Sequence, residues 1–167
     1  NTTGSYNNAI GQNAMGVNTT GHRNTSIGQD SMQANTTGAH NAAVGNSALA
    51  YNTTASYNTA VGGNSLQQNT TGGHNTSIGY RSLEANTTAE WNTAVGSEAL
   101  LNNTTGYSLT AIGKECMSAN TTGNNNTACG VNALRYNTTG YGHAAFGNGA
   151  AYNQAAGTYY NAAFGYH

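Results

Sequence analysis

The residues able to do acid–base or metal chemistry are few in this 167-residue chain and do not form a recognisable pattern. Its five carboxylates are scattered singly: Asp30, Glu84, Glu90, Glu98 and Glu115. A two-carboxylate or Ser–His–Asp site needs such groups to converge on a pocket. We therefore predict a chain that is not an enzyme, with no catalytic residues, no metal site and no cofactor.

Composition excludes further classes of protein. Charged residues are only 5% of the chain, the net charge is −1 and proline is absent, while asparagine, threonine and glycine dominate. Four basic residues cannot form a stripe that tracks a phosphate backbone, so we expect no nucleic-acid partner. No apolar run approaches the roughly 20 residues of a membrane-spanning helix, so we expect no membrane insertion.

An internal repeat of 17 residues organises the sequence. The motif Asn-Thr-Thr-Gly/Ala begins at Asn1, Asn18, Asn35, Asn52, Asn69, Asn86, Asn103, Asn120 and Asn137. Nine repeats span 1–153, and 154–167 is a degenerate, aromatic-rich copy with one extra residue near Tyr159 and Tyr160, predicted to cap the C-terminal end. The chain begins inside a repeat, as expected of a processed product or a piece of a longer protein. Equivalent positions are called columns below, numbered as in residues 1–17.

The columns predict a parallel β-solenoid. Column ten is apolar and mostly β-branched, which predicts the structural core: Ile10, Ile27, Val44, Val61, Ile78, Val95 and Ile112. Column fifteen, mostly Leu or Met, predicts a second buried row. Column eleven is always glycine, which indicates a corner or a close backbone approach. All nine charged residues fall in columns five, six, twelve, thirteen and sixteen, which should face solvent.

The recurrent glycines and the Asn/Thr runs disfavour helix. We expect one short strand over Asn-Thr-Ala-Ile-Gly, a second over x-Ala-Leu-x, and a return loop at Asn-Thr-Thr-Gly. Nine coils stacked at about 4.8 Å would be roughly 43 Å long. Identical Asn, Thr and Ser side chains would form hydrogen-bonded ladders along that axis.

Columns nine and fourteen hold small residues, Ala or Ser with one Cys. Column nine points to the opposite face of its strand from column ten. If column ten fills the core, the Ala/Ser face is either solvated or packed against another chain. Column nine never holds a larger polar residue in nine copies, so we predict that this face packs against another subunit or sheet. A bulky charge at Ala60 or Ala94 should then disrupt assembly. The alternative is a narrow single-chain solenoid whose own interior requires small residues.

The pattern Asn-Thr-Ala-Ile-Gly-x-x-Ala-Leu followed by Asn-Thr-Thr-Gly, with its Ala-Ile/Val-Gly core as in 9–11, 60–62 and 94–96, resembles repeats of phage and prophage tail fibres and of large bacterial surface proteins. It is also similar to the head repeats of trimeric autotransporter adhesins, although the 17-residue period and the Asn-Thr-Thr-Gly loop differ from theirs. That adhesin family forms left-handed parallel β-rolls, three chains side by side, which bind host or matrix ligands. The resemblance therefore implies a homotrimer.

Aromatic rings and histidines cluster in columns five and six and form the candidate ligand surface: Tyr6, His40, Tyr57, His74, Trp91, Tyr107 and Tyr141. Exposed rings on a polar ridge suit stacking on sugars or on an apolar partner. The alternative is that they cover the core or meet a neighbouring chain. His40 and His74 lie two coils apart, about 10 Å, which is too far for one zinc ion.

Each Asn-Thr-Thr is also a glycosylation sequon, so the nine asparagines that begin the repeats are candidate glycan sites. The alternative is an internal ladder of Asn and Thr side chains. Cys116 and Cys129 stand where other repeats have Ala/Ser and Ile/Val, which predicts small buried residues and no disulfide.

These observations favour an extracellular, cell-surface or virion protein: a fibre segment acting as the shaft or head of a tail fibre or adhesin. Its partners would be further copies of itself and a host-surface glycan or protein. One alternative is an extracellular filament that polymerises end to end, glycosylated or not. A third is an ice-binding solenoid, disfavoured because adjacent threonines in Asn-Thr-Thr point to opposite faces of a strand.

Overall fold

The computed structural model of the chain describes residues 2–154 and 157–166. These residues form an all-β parallel solenoid of about nine coils, with one three-residue strand in each coil. The strands are β1 (Asn8–Ile10), β2 (Thr25–Ile27), β3 (Ala42–Val44), β4 (Thr59–Val61), β5 (Thr76–Ile78), β6 (Thr93–Val95), β7 (Thr110–Ile112), β8 (Thr127–Cys129), β9 (Ala144–Phe146) and β10 (Ala162–Phe164).

The ten strands pair in sequence order in one parallel sheet, and each residue pairs with its repeat equivalent. Thr59 lies beside Thr76 and Val61 beside Ile78, for example. The predicted parallel β-solenoid is thus confirmed. The described residues contain no helix, and hence none that could cross a membrane.

The second strand predicted in each coil is wrong. Columns twelve to seventeen form a turn in which the side-chain-bearing residues of columns thirteen and fifteen have positive φ, as at Glu98 (59°) and Leu100 (53°). The N–H groups of columns thirteen and fifteen point to opposite neighbouring coils, while the N–H between them bonds within its own coil. Glu98 donates to the Tyr80 carbonyl at 2.9 Å and Leu100 to the Cys116 carbonyl at 3.0 Å. Coil-to-coil hydrogen bonding therefore continues without a regular strand.

The interior of the solenoid is lined by columns nine, fourteen and fifteen. Leu66, Leu83 and Leu100 are fully buried, as predicted for column fifteen, and so are Ala60 and Ala94 of column nine. The row of Leu and Met side chains fills most of the narrow coil, so only Ala, Ser or Cys fits opposite it. Where serine occurs, its hydroxyl is paired, as in the 2.9 Å bond between Ser77 and Ser82.

The prediction that column ten forms the core is therefore wrong. These side chains lie on the outside of the sheet; Val61 is 37% exposed and Ile10, in the first coil, 63%. The same holds for Ile27, Val44, Ile78, Val95 and Ile112, all exposed or half-buried. Alternation along the strand was predicted correctly, but its inward and outward sides were reversed.

The glycines of column eleven lie where the backbones of neighbouring coils approach closely. Gly62 has a φ of 129°, and a Cβ placed on it would lie 2.5 Å from the carbonyl oxygen of Gly79 in the next coil. A side chain is thus excluded both by the backbone conformation and by the space. This confirms the close approach predicted for column eleven.

Asparagine and threonine form the predicted ladders. In column one, Asn69 Nδ2 donates to Asn52 Oδ1 at 3.0 Å and to the Gly72 carbonyl at 2.9 Å, and Asn86 Nδ2 donates to Asn69 Oδ1 at 2.9 Å. Threonine hydroxyls of column two bond the backbone of the next coil, as from Thr70 to the Thr87 carbonyl at 3.0 Å. The ladders satisfy polar groups that would otherwise be buried without partners.

Near the C-terminus the repeat changes its length. Strand β10 pairs with β9 at an offset of 18 residues, Ala162 beside Ala144. The bridge between Tyr141 and Tyr159 has the same offset, so the extra residue is taken up before Tyr159. Residues 155, 156 and 167 of the predicted capping segment lie outside the described residues.

Candidate functional site

Six of the nine charged side chains form local ion pairs, and the acids do not converge on a common pocket. Arg81 Nε lies 2.6 Å from Glu84 Oε2, and Arg81 also reaches Glu98. Glu115 pairs with both Lys114 and Arg135. No group of three or more His, Cys, Asp or Glu side chains suited to a metal ion occurs among the described residues. None of the nine charged residues is buried, as predicted, but the same columns also hold buried small residues such as Ala39, Ala50 and Ser118.

Besides its charged residues, the surface has two extended features. The first, called the outer sheet face, consists of the outward residues of the ten strands. Its column-ten row is apolar: Ile10, Ile27, Val44, Val61, Ile78, Val95, Ile112, Cys129, Phe146 and Phe164. Its column-eight row is mostly threonine, including Thr59, Thr76, Thr93, Thr110 and Thr127 in consecutive coils. No charged residue occurs in either row.

The Ala/Ser face predicted to contact another subunit is not a surface. Ala60 and Ala94 are 0% exposed within their own chain. The alternative interpretation, a narrow coil whose interior needs small residues, is the correct one. A charge at either position would therefore disrupt the coil itself.

The second feature, called the aromatic stack, runs along column six. The rings of His40 and Tyr57 are 5.0 Å apart and those of Tyr57 and His74 are 4.9 Å apart, each pair within 11° of parallel. His74 and Trp91 follow at 6.4 Å and 21°. Tyr57 thus separates the two histidines, which do not share a metal position. The structure brings four of the seven predicted ligand-surface residues into one row.

The other three lie around this row or away from it. Tyr6 belongs to the same column, two coils before His40, and the guanidinium of Arg23 lies 6.0 Å from its ring centre. Tyr107 lines a cleft together with Trp91. Tyr141 is separate: it contacts Tyr159 at 4.5 Å and Tyr160 at 5.2 Å near the C-terminus.

The cleft between the sixth and seventh coils has a volume of about 200 Å³. Its lining is Thr88, Ala89, Glu90, Trp91, Thr105 and Tyr107. Trp91 is 58% exposed and Tyr107 45% exposed, so both rings are accessible from solvent. We call this the Trp91 cleft.

Glycosylation does not fit the described asparagines that begin the repeats, from Asn18 to Asn137. All eight are buried, and their amide nitrogens are committed to the ladder, as described for Asn69. A glycan on such a nitrogen would break the ladder and has no exit from the coil. These eight candidate sites are therefore wrong for the folded chain, and Asn1 lies outside the described residues.

The two cysteines have opposite environments, and neither is in a disulfide. Cys116 is buried as predicted, and its burial raises the pKa of the thiol to about 12. Cys129 is exposed, because column ten faces outward, and the prediction that it is buried is wrong.

Sequence reasoning missed two contributors to these surfaces. The threonines of column eight share a face with column ten, which the two-residue periodicity of a strand could have indicated. The sequence places Glu90 beside Trp91, but only the coil-to-coil arrangement reveals that Glu90 has no ion pair among the described residues.

Comparison of the chain with protein-family models, with curated proteins and with solved structures gives no match. The fold by itself defines a parallel β-solenoid repeat protein.

Proposed function

We propose that the chain is a non-enzymatic segment of an extracellular, cell-surface or virion fibre, serving as shaft or head of a tail fibre or adhesin. Three copies pack side by side through the outer sheet face, and the remaining surface is presented to a binding partner. The observation that carries the proposal is the continuous uncharged face of the ten-stranded parallel sheet.

Parallel sheets support this assignment because they are almost always covered on both faces. Here the coil interior covers one face, and none of the described residues covers the other. The outer sheet face measures about 43 Å by about 10 Å, from ten strands of three residues. This face, roughly 430 Å² of apolar side chains and threonines, falls within the roughly 300–600 Å² of the largest apolar patches on monomers, which are often functional.

A second copy of the chain is the partner that fits this face best. Its rows of Val and Ile repeat once per coil, and an identical solenoid has the same repeat over its whole length. Closed three-fold packing would leave no copy with an uncovered face, in keeping with the symmetry of most oligomers. The resemblance to tail-fibre and trimeric adhesin repeats points to the same number of chains.

The test is a pair of substitutions that add one negative charge. Val61→Glu, on the outer sheet face, should convert the assembly into folded 17.0 kDa monomers, because it places a charge in an apolar contact. Gln68→Glu, at an exposed position off this face, should leave the assembly unchanged. Sedimentation velocity measures the mass and circular dichroism the fold. A Val61→Glu protein of unchanged mass would overturn the proposal.

Ice binding is a second candidate because the outward threonines form an unbroken row from Thr59 to Thr127 beside the apolar row. In a monomer this flat array would offer hydroxyl and methyl groups to water at about 4.8 Å intervals. Thermal hysteresis in a monomeric sample, abolished by Thr93→Lys, would favour this function over the fibre. Absence of hysteresis would eliminate it.

A further inference from the structure

We infer that the Trp91 cleft is a subsite for one neutral pyranose ring of a glycan. The inference rests on the proposed function, since it names the class of ligand that the surface of such a fibre would bind. Three features of the cleft lead to it: an uncovered indole face, a second accessible ring, and a carboxylate that has no partner among the described residues.

The uncovered indole face results from the end of the aromatic stack. From His40 to Trp91, four consecutive coils contribute a ring to column six, and each ring covers the face of the next. The seventh coil contributes Ser108 instead. The side of Trp91 towards that coil therefore has no ring against it, and the Trp91 cleft opens there, since its lining includes Thr105 and Tyr107 of the seventh coil.

The size of the cleft suits a single ring. Its volume of about 200 Å³ lies below the 300–1,000 Å³ of pockets for drug-sized ligands. Parallel rings in this column sit 4.9–5.0 Å apart, one ring per coil, so the column-six position of the seventh coil, which has no ring, leaves room for one further ring. The polarised C–H groups on one face of a pyranose suit the negative face of an indole.

Glu90 supplies the polar side of the subsite. Asp30 accepts a hydrogen bond from Asn13 at 2.9 Å, and Glu84, Glu98 and Glu115 are all in ion pairs. Among the described residues Glu90 is the one acid whose carboxylate has neither a hydrogen bond nor an ion pair. A carboxylate only accepts hydrogen bonds, so it is matched by the hydroxyl groups of a sugar. The hydroxyls of Thr88 and Thr105 add donors beside it.

The same carboxylate argues against other ligands. An apolar peptide would remove the Glu90 carboxylate from water without compensation. A phosphate, uronic acid or sialic acid would be repelled by its charge. The remaining competitor is an organic cation, which would also be attracted to an aromatic face.

Intrinsic fluorescence tests the subsite directly, because Trp91 is the one tryptophan of the chain. The probes are methyl glycosides of glucose, galactose, mannose and N-acetylglucosamine, their β-linked oligomers, glucuronic acid and tetramethylammonium. At least one neutral sugar should change the emission saturably, with a dissociation constant of about millimolar for a single ring. Glucuronic acid should leave the emission unchanged.

Variants establish where the sugar binds. Ser108→Tyr should place a ring in the space beside Trp91 that the sugar would occupy, and Tyr107→Ala should remove the second ring of the cleft. Each substitution should weaken sugar binding about tenfold or more. Tyr6→Ala, in the same column but five coils away, should leave binding unchanged. No saturable change with any neutral sugar, a response to tetramethylammonium alone, or undiminished binding by Ser108→Tyr would each overturn the inference.

The mass of the same samples separates the two proposals. Trimers that bind no sugar would remove the subsite and leave the fibre assignment intact. Monomers would remove the fibre assignment whatever the fluorescence reports.

Discussion

Removing one rung of the column-one ladder should destabilise the whole coil stack. Asn69 is fully buried and takes part in three side-chain hydrogen bonds, two as donor and one as acceptor. After Asn69→Ala, Gly72 still accepts from Asn58, and Asn86 still donates to the Ala89 carbonyl. Asn52 Oδ1 loses the bond that Asn69 provides, within a buried environment.

The magnitude follows from these bonds. Three bonds at about 1 kcal/mol each, with one acceptor left buried and unpaired, give a loss of about 3–4 kcal/mol in the free energy of unfolding. Asn69→Asp keeps the shape but replaces the donor with an acceptor facing two oxygens, so it should cost at least as much.

Urea unfolding followed by far-UV circular dichroism measures this loss, with all variants at one chain concentration. Asn46→Ala is the matched control, since Asn46 is exposed and its side chain accepts one bond, from Ser47 at 3.3 Å. It should change stability by less than about 0.5 kcal/mol. If Asn69→Ala were as stable as this control, the ladder would not be a source of stability and the reasoning would be refuted.

Three further predictions concern the backbone, pH and the thiols. Gly62→Ala should destabilise the fold by about 3 kcal/mol or more. The control Gly63→Ala, whose added methyl meets only the Tyr80 ring at 3.6 Å, should be nearly neutral in the same urea assay. Equal losses of stability in the two variants would contradict the close approach of the Gly62 and Gly79 backbones. Burial lowers the pKa of His143 below its usual 6.5, so as pH falls below that value the unfolded chain takes up a proton before the folded chain does, and stability decreases. The thermal midpoint should therefore fall on acidification, and less so in His143→Asn; identical pH profiles of the two proteins would refute this. In the Val61→Glu monomer, maleimide should label Cys129 rapidly and Cys116 only on unfolding. In the wild-type assembly Cys129 should be protected, and mass spectrometry of the labelled peptides measures the difference. Equal labelling of Cys129 in both samples would count against its burial between chains.

The architecture could be predicted because a strict repeat turns residue types into environments. Nine copies of Gly at column eleven indicated the close approach that Gly62 makes, and the identity of Asn52, Asn69 and Asn86 indicated a ladder. Such features depend only on each coil meeting an equivalent coil.

The orientation of the strands could not be predicted in the same way. Periodicity reveals that Ala60 and Val61 point in opposite directions, but which of them points inward depends on the width of the coil. That width is set by the turn containing Leu66, which has a φ of 53°. Leucine is not a residue that favours this region, so nothing in its type signals the conformation.

The same distinction applies to the candidate site: features shared by all coils could be predicted, and features of one pair of coils could not. The aromatic stack could be predicted because its rings share one column. The Trp91 cleft could not, since it depends on the absence of a ring at Ser108 and of a partner for Glu90, which only the packing of adjacent coils reveals.

Native mass spectrometry of the wild-type protein tests the central claim most directly, namely that three copies of this solenoid associate. The account predicts a particle of about 51 kDa, three times the 17.0 kDa chain. A 17.0 kDa species at every concentration, or an open-ended series of assemblies, would contradict it.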